Sequence, residues 1–315
     1  MSYLVTGVAG FVGSHLAERL VANGSDVVGV DCFTDYYSKK IKESNIASLL
    51  KEKRFRLVES DLSEGIPNSL VKDGGTVFHL AAQPGVRASW GRSFEKYVKD
   101  NLLATQNLLE STKGREISKF IYVSSSSIYG DAEQLPTPEG TAPRPNSPYG
   151  VTKLGGEHLC DVYRKSFNTP TVVLRYFTVY GPRQRPDMAF NRFIQRISSG
   201  EELEVFGDGT QMRDYTFVKD TVSATLLAQG AKVGKTYNVG TGRTYALNEA
   251  IDIIASVVGR KAKVKHLRSA SGDVRKTSAD ISRIKNELGY HPSVDLREGL
   301  VEQINWQLSL KIPTN

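Results

Sequence analysis

Short runs of β-branched and aromatic residues recur through the first 180 residues of the chain, and segments with helical spacing separate them. The apolar runs predict six strands, at residues 3–6, 27–31, 55–59, 76–81, 120–124 and 171–176. Helical spacing predicts helices between several of these strands, at residues 14–23, 93–112 and 149–166. Strands that alternate with helices predict an α/β fold built on a doubly wound parallel sheet.

The pattern changes after residue 180. Gly181 and Pro182 interrupt it, and shorter helices are predicted at residues 189–199, 220–228 and 247–258. We therefore expect a first domain over residues 1–180 and a smaller α/β lobe over residues 181–315, with segments that can interleave. The substrate is expected in the cleft between the two.

The composition is that of an ordinary globular protein. Of the 315 residues, 39% are hydrophobic and 24% are charged, and no apolar run reaches the roughly 20 residues that span a bilayer. No cationic leader precedes the first strand, so a cytoplasmic location and no membrane partner are expected. Cys32 and Cys160 are too few for a disulfide framework or a metal cluster. The net charge of +7 favours anionic partners, whether nucleic acid, a membrane surface or a phosphorylated small molecule.

A glycine motif follows the first predicted strand. Gly7, Gly10 and Gly13 allow a tight turn, close approach of the backbone to a pyrophosphate, and contact between helix and sheet. Asp31 ends the second strand at about the 20-residue offset expected of a carboxylate that binds adenosine ribose hydroxyls. An ordinary surface acid is the alternative. Because an acid there repels a 2′-phosphate, the motif predicts NAD rather than NADP.

Asp61 and Leu62 follow the third predicted strand. The carboxylate of Asp61 is a candidate to accept a hydrogen bond from the adenine amino group. An ordinary loop aspartate explains the same pattern, so the position stays open at this stage.

Tyr149 and Lys153 form a Tyr-x-x-x-Lys pair at the start of a predicted helix, which places both side chains on one face. An ammonium near a phenol favours the phenolate, so the pair predicts a tyrosine base that takes a proton from a substrate hydroxyl. The pair also arises by chance in helices with a purely structural role. Four serines, residues 124–127, end the fifth strand, and Ser125 is the candidate that shares the substrate proton with Tyr149.

Four motifs in combination resemble the extended short-chain dehydrogenases/reductases. They are TGVAGFVG at residues 6–13, HLAA at residues 79–82, SSSSIYG at residues 124–130 and YGVTK at residues 149–153. The resemblance covers essentially the whole chain and implies a Rossmann-type fold, tightly held NAD, a UDP- or dTDP-sugar substrate and a homodimer. In that family the Ser or Thr four residues before the Tyr of Tyr-Gly is catalytic, which again indicates Ser125.

The resemblance, with the positions already named, also gives the residues expected to contact NAD. They are Gly7, Gly10, Phe11, Val12, Gly13, Asp31, Asp61, Leu62, Leu80, Ala81, Ala82, Asn101, Tyr149, Lys153 and Tyr176. The homodimer is implied through the two helices predicted at residues 93–112 and 149–166.

Residues next to Ser125 distinguish reactions within the family. Dehydratases carry Asp-Glu there and UDP-glucuronate decarboxylases carry Glu, whereas this chain has Ser126 and Ser127. No acid at these two positions is available to protonate a leaving hydroxyl or an enolate. The pattern therefore favours an epimerase over both alternatives.

Two further segments resemble UDP-glucuronate 4-epimerases. Thr178 stands where most family members have Asn, and the segment RPDMA begins at Arg185. The segment QPGVR ends at Arg87, which the resemblance makes a further candidate to bind the substrate. Oxidation of a glucuronate at C4 gives a β-keto acid, which loses carbon dioxide when its carboxylate bond aligns with the carbonyl π system. Hydroxyls of Thr178, Ser126 and Ser127 are expected to hold the carboxylate out of alignment, with charge from Arg185.

Arg213 and Arg275 are candidates for the diphosphate of the nucleotide sugar. Arg213 lies in GTQMRDY, which resembles the family segment that contacts UDP, and Arg275 follows in GDVR. The planar guanidinium donates paired hydrogen bonds to phosphate. Either arginine could instead belong to a surface ion pair.

Two rival functions remain at this stage. A UDP-glucose or UDP-N-acetylglucosamine 4-epimerase would use the same catalytic residues on a neutral sugar, and Thr178 with Arg185 favours the anionic one. A non-catalytic NAD-binding scaffold or a nucleic-acid-associated relative would not need a tuned phenol. The intact Ser125, Tyr149 and Lys153 favour an enzyme without a nucleic-acid partner.

Overall fold

The structure, a computed structural model, describes residues 2–67, 70–268, 272 and 274–310. Its strands are β1 (Ser2–Thr6), β2 (Asp26–Asp31), β3 (Phe55–Glu59), β4 (Thr76–His79), β5 (Lys119–Ser125), β6 (Thr171–Tyr176), β7 (Thr178–Tyr180), β8 (Glu202–Phe206), β9 (Met212–Arg213), β10 (Tyr215–Phe217), β11 (Thr236–Val239), β12 (Tyr245–Ala246) and β13 (Lys263–Leu267). Its α-helices are α1 (Phe11–Ala22), α2 (Lys39–Asn45), α3 (Phe94–Tyr97), α4 (Ala104–Glu110), α5 (Pro148–Phe167), α6 (Ala189–Ser199), α7 (Val218–Leu227), α8 (Leu247–Val258), α9 (Ser282–Leu288) and α10 (Leu296–Ser309).

Seven parallel strands form the main sheet, in the order β11-β6-β5-β4-β1-β2-β3. The predicted Rossmann-type α/β fold is confirmed. Strand β6, TVVLRY, is buried along its whole length, as expected of a strand covered by helices on both faces of a parallel sheet. The carboxyl ends of β1, β2, β4, β5 and β6 meet at one edge of the sheet, where ligands bind in folds of this kind.

The seventh strand comes from the C-terminal half of the chain. Strand β11 pairs with β6 from Thr236 opposite Val173 to Val239 opposite Tyr176. Helix α7 packs against α1, so a helix from beyond residue 181 also covers the main sheet. The two halves of the chain are therefore interleaved.

Local bounds differ from the predicted ones in three places. Helix α1 begins at Phe11, immediately after the glycine turn, and β4 ends at His79. The helix predicted at residues 93–112 is divided, because a π-helical segment, Val98–Leu103, joins α3 to α4. Such a segment shifts the side chains that follow it around the helix axis and often lies near functional sites.

Three two-stranded sheets and helices α6, α8 and α10 build the smaller part of the molecule. The sheets pair β7 with β10, β9 with β12, and β8 with β13. Helix α6 buries Phe190, Phe193, Ile194 and Ile197 along one face, and α8 and α10 pack beside it. Strand β7, which carries Thr178, follows β6 after one residue, and β9 carries Arg213.

The described ranges of the chain also bear on two further features, a membrane span and a metal site. No helix in these ranges is both long and apolar enough to cross a membrane. The same residues contain no group of three or more His, Cys, Asp or Glu side chains arranged to hold a metal ion.

Candidate active site

The glycine turn between β1 and α1 is as tight as its sequence predicts. Gly7 has a φ of 68°, and a Cβ atom there would lie 2.8 Å from the backbone nitrogen of Ala81. A Cβ atom on Gly13 would lie 2.2 Å from the carbonyl oxygen of Gly7. Helix α1 starts after Gly10 without a side-chain cap, so its first N–H groups point toward open space where a pyrophosphate can bind.

Asp31 lies at the carboxyl end of β2, beside the glycine turn. Its Oδ2 accepts a hydrogen bond from Ala9 N at 3.0 Å, and its Oδ1 accepts one from Phe33 N at 2.9 Å. Burial raises the pKa of Asp31, while these two N–H groups and the charge of Lys42 oppose that rise. Each carboxylate oxygen keeps a further lone pair for a ribose hydroxyl. The turn and the carboxylate together suit the diphosphate and ribose of NAD.

A cleft of about 400 Å³ runs along this edge of the sheet. Most of the predicted site residues line it, from the cofactor end to the catalytic end. They are Gly7, Gly10, Phe11, Val12, Gly13, Asp31, Asp61, Leu62, Leu80, Ala81, Ala82, Ser125, Ser126, Ser127, Tyr149, Lys153, Tyr176, Thr178 and Arg185. The fold thus joins segments that are distant in sequence into one continuous site.

The catalytic side chains come from β5 and α5. Ser147 caps α5 by accepting a hydrogen bond from Gly150 N at 3.1 Å, and Pro148 occupies the first turn. This start places Tyr149 and Lys153 one turn apart on the face that lines the cleft. Ser125, at the end of β5, accepts a hydrogen bond from Ser127 N at 3.1 Å.

The protonation of Tyr149 depends on its surroundings. Burial raises the pKa of Tyr149, whereas its hydrogen bond with Ser125 and the charge of Arg185 lower that pKa. Burial lowers the pKa of Lys153 to about 8. Lys153 Nζ lies over the ring of Tyr122, 4.6 Å from its centroid, and Lys153 lines the same cleft as Tyr149.

Asn101, predicted to contact NAD, is buried beside the loop after β4. It does not line the cleft; its Oδ1 accepts a hydrogen bond from Gln83 N at 2.7 Å. Its Nδ2 donates to Gln83 O at 3.1 Å and to Thr152 Oγ1 at 2.9 Å. These three hydrogen bonds tie the loop after β4 to α5, and contact of Asn101 with NAD stays a prediction.

Of the four arginines predicted to bind the substrate, Arg185 lines the cleft, whereas Arg87, Arg213 and Arg275 lie outside its lining. The guanidinium of Arg87 stacks on the ring of Phe206, with its Cζ 4.0 Å from the centroid. Arg213 Nη1 donates to the carbonyl oxygens of Met212 at 2.9 Å and Arg275 at 3.3 Å. The structure therefore brings Arg213 and the exposed Arg275 together, with both on the smaller part of the molecule.

Arg185 reaches the catalytic end of the cleft already paired. Its Nε and Nη2 donate to the two carboxylate oxygens of Asp187 at 3.0 and 3.1 Å, and Tyr36 Oη donates to Asp187 Oδ2 at 3.1 Å. Sequence reasoning missed Tyr36, Tyr37 and Lys42, which also line the cleft. The adjacent tyrosines after the second strand were the available signal, since aromatic pairs in a loop at a strand's carboxyl end often contact ligands.

Asp214 positions the strands that carry Thr178 and Arg213. Its carbonyl oxygen accepts a hydrogen bond from Thr178 N at 3.1 Å. Its buried carboxylate accepts hydrogen bonds from the backbone nitrogens of Thr241, Gly242 and Ala279, at 2.8, 2.9 and 3.1 Å. One side chain therefore fixes the loop after β11 against β9 and β10.

Comparisons with known proteins place this site in context. Residues 4–303 match the family described as GDP-mannose 4,6 dehydratase. An uncharacterized UDP-glucose epimerase, YtcB, of Bacillus subtilis is 42% identical over 98% of this chain and 99% of its own. A UDP-glucuronate 4-epimerase of Thermodesulfobacterium geofontis is 37% identical over 96% of this chain and 95% of its own.

Among solved structures, the UDP-glucuronic acid 4-epimerase of Bacillus cereus, in complex with UDP-glucuronic acid and NAD, superposes with a TM-score of 0.95. It is 42% identical, and the match covers 98% of this chain and all of that one. The similarity extends over the cofactor edge and the smaller part alike. The chain therefore belongs to the GDP-mannose 4,6 dehydratase family, within the extended short-chain dehydrogenases/reductases.

Proposed function

We propose that this protein is an NAD-dependent UDP-glucuronate 4-epimerase, which interconverts UDP-glucuronate and UDP-galacturonate. The observation that carries the proposal is the convergence of Ser125, Tyr149 and Lys153 with the hydroxyls of Ser126, Ser127 and Thr178 at one end of the cleft. Relatives and structural neighbours with the same reaction in their names support it. Acid–base groups and carboxylate-binding groups then lie beside one sugar ring.

The chain's own residues supply the proton transfers. Tyr149 takes the proton of the sugar 4-hydroxyl, and Ser125, which lines the same cleft, shares that proton. NAD, when bound, would act as the oxidant by accepting hydride from carbon C4. The glycine turn and Asp31 would hold the diphosphate and ribose of NAD, and Lys153 lies beside the cleft with its ammonium available to support the tyrosinate. Epimerisation also requires the 4-keto sugar to rotate within the cleft, so that the opposite face of C4 is presented before Tyr149 returns the proton.

Three hydroxyls would keep the keto acid intact. Ser126, Ser127 and Thr178 line the catalytic end of the cleft from two different elements, so they can hold the sugar carboxylate from two sides. Hydroxyl donors fix the orientation of a carboxylate without an acid that would protonate the enolate formed by decarboxylation. A β-keto acid loses carbon dioxide slowly when its carboxylate bond is kept out of alignment with the carbonyl π system.

Replacing Thr178 by Val should raise the fraction of UDP-pentose among the products by about tenfold, because one hydroxyl that restrains the carboxylate is lost at nearly constant volume. Chromatography of the products formed from UDP-glucuronate measures that fraction. Thr216→Val, on the neighbouring strand β10 and outside the cleft lining, is the matched control and should leave partitioning unchanged. Equal partitioning in Thr178→Val and the unmodified protein would count against the restraint.

The function itself is tested by incubating the purified protein with UDP-glucuronate and, separately, with UDP-glucose, and resolving the products by NMR. We expect UDP-galacturonate from the first substrate. UDP-galactose alone would reject the preference for an anionic sugar, and a predominant UDP-pentose would identify a decarboxylase. No turnover and no reduction of bound NAD with any UDP-sugar would reject the enzymatic proposal as a whole.

A 4-epimerase for a neutral sugar, such as UDP-glucose or UDP-N-acetylglucosamine, is the second candidate. The specific observation in its favour is the pairing of Arg185 with Asp187, because that carboxylate already neutralises the guanidinium proposed to attract the sugar carboxylate. The name of the Bacillus subtilis relative points the same way. The product assay separates this candidate from the first.

We propose further that the protein is a homodimer. Helix α5 and the preceding helical region expose large apolar side chains to solvent: Val98, Leu103, Val151, Val162 and Phe167. Exposed apolar side chains collected on two neighbouring helices are typical of an interface between subunits. A second copy of the same helices would cover them.

Val162→Glu should convert the dimer to a monomer, because a carboxylate would be buried without a partner in an apolar interface. Light scattering coupled to size-exclusion chromatography measures the mass. Val233→Glu, at another exposed apolar position outside these helices, should leave the mass unchanged. A monomeric unmodified protein, or a dimer in both variants, would reject this interface.

We also propose a separate binding role for each half of the chain and a cytoplasmic location for the protein. Residues 1–180 would hold NAD and residues 181–315 the nucleotide sugar, with β11 as the interleaved segment. Cys32 and Cys160 are both free thiols, which suits the reducing cytoplasm.

A further inference from the structure

A buried ion pair lies directly behind the catalytic residues. Glu157 is one helical turn beyond Lys153 on α5, and its carboxylate pairs with Arg175 of β6 through Nε–Oε1 at 3.0 Å and Nη2–Oε2 at 2.7 Å. Ser124 Oγ donates to the same Oε1 at 2.5 Å. The side chains of Arg175 and Glu157 are only 8% and 9% exposed, so solvent screens the pair weakly.

This carboxylate is shared by the two elements that carry the catalytic groups. Ser124 precedes Ser125 at the end of β5, and Glu157 follows Lys153 on α5. The hydrogen bond between Ser124 and Glu157 therefore fixes the strand end against the helix face. The relative position of Ser125 and Lys153 depends on that connection.

Tyr122 also contacts Lys153. The Lys153 ammonium lies 4.6 Å from the centroid of the fully buried Tyr122 ring, and Tyr122 Oη donates to Lys153 O at 3.3 Å. Gly156 leaves room for this ring, because a Cβ atom there would lie 2.1 Å from Tyr122 Oη. A π face attracts a cation, and the attraction is stronger away from water.

We infer that Glu157 and Tyr122 are positioning residues that hold the Lys153 ammonium charged and directed at the cofactor cleft. The inference rests on the proposed function, in which Lys153 supports the tyrosinate form of Tyr149. Burial alone disfavours an ammonium; the carboxylate one turn away and the ring beneath it favour the charged form. The pKa of Lys153 follows this balance, since burial lowers it to about 8 and the charge of Glu157 opposes that fall.

Titration of the reaction distinguishes this role from a purely structural one. We would measure kcat against pH with UDP-glucuronate for the unmodified protein and for Glu157→Gln, Tyr122→Leu and Tyr122→Phe. Loss of either support lowers the pKa of Lys153, so Glu157→Gln and Tyr122→Leu should lose about tenfold more activity on the alkaline side of the profile than on the acidic side. Tyr122→Phe keeps the aromatic ring, so its pH profile should match that of the unmodified protein.

Glu157→Gln leaves the Arg175 guanidinium buried without a charged partner, which can prevent folding. The double variant Glu157→Gln with Arg175→Met removes both charges and should show the same alkaline loss, because Arg175 does not contact Lys153 in this network. The inference would be overturned if the profiles of Tyr122→Leu and of the double variant, after scaling, superimposed on the profile of the unmodified protein. The proposed function would be rejected independently, by the absence of turnover of UDP-glucuronate by the unmodified protein. The same pH profiles would then be measured from the reduction of NAD by whichever UDP-sugar the protein accepts.

Discussion

Tyr149→Phe should lower kcat by about a thousandfold while the protein still binds NAD, because the change removes the phenol oxygen that acts as the base in the proposed reaction. The phenyl ring keeps its volume and its edge-on contact with Tyr97, whose ring centroid lies 6.2 Å away. Turnover of UDP-glucuronate measures the loss. The NAD content of the purified variant shows that the cleft remains formed.

Tyr237→Phe is the matched control for this prediction. Tyr237 is also a buried tyrosine with a hydrogen-bonded hydroxyl, which donates to Glu287 Oε2 at 2.8 Å outside the cleft lining. Its variant should keep kcat within about twofold of the unmodified protein. If Tyr149→Phe lost less than about tenfold, Ser125 or a water molecule would have to be the base instead.

Gly13→Ala should abolish retention of NAD through purification and destabilise the protein by about 1–3 kcal/mol. The added methyl group would lie 2.2 Å from Gly7 O and 2.9 Å from Gly7 C, and both atoms belong to the backbone of the turn. Neither atom can rotate away, so the turn must open and the first N–H groups of α1 move apart. Calorimetric titration with NAD and thermal unfolding measure the two effects.

Gly140→Ala controls for the general cost of adding a methyl group. A Cβ atom at Gly140 has no neighbour within 4 Å, so both NAD affinity and the melting temperature should stay close to those of the unmodified protein. Normal NAD binding by Gly13→Ala would show that the glycine turn can accommodate an added methyl group. That result would contradict the assignment of the pyrophosphate site.

Much of the fold follows from local patterns in the sequence. Buried parallel strands are short apolar runs, and the alternation with helices fixed six of the seven strands of the main sheet within a few residues. The glycine turn and Asp31 were recognisable because their chemistry depends on spacing along the chain. Tyr149 and Lys153 were recognisable for the same reason, since a helix brings residues four apart onto one face.

Other features depend on contacts between distant segments, and no local pattern records them. Asn101 reads as a cofactor ligand, yet the π-helical segment around it turns its amide toward Gln83 and Thr152. Arg185 reads as a free cation, but Asp187 lies two residues later in a loop whose geometry the sequence does not define. The pairing of Glu157 with Arg175 likewise appears only when α5 packs on β6.

Completion of the main sheet by β11 has a consequence for synthesis of the protein on the ribosome. Until Val239 has left the exit tunnel, the outer edge of β6 has no partner, and β6 is an apolar strand with its hydrogen-bonding groups exposed. The nascent chain must therefore pass through a stage in which an aggregation-prone edge is uncovered. We expect chains truncated before residue 236 to require chaperones to stay dispersed, and the sheet to become resistant to proteolysis only after β11 is added.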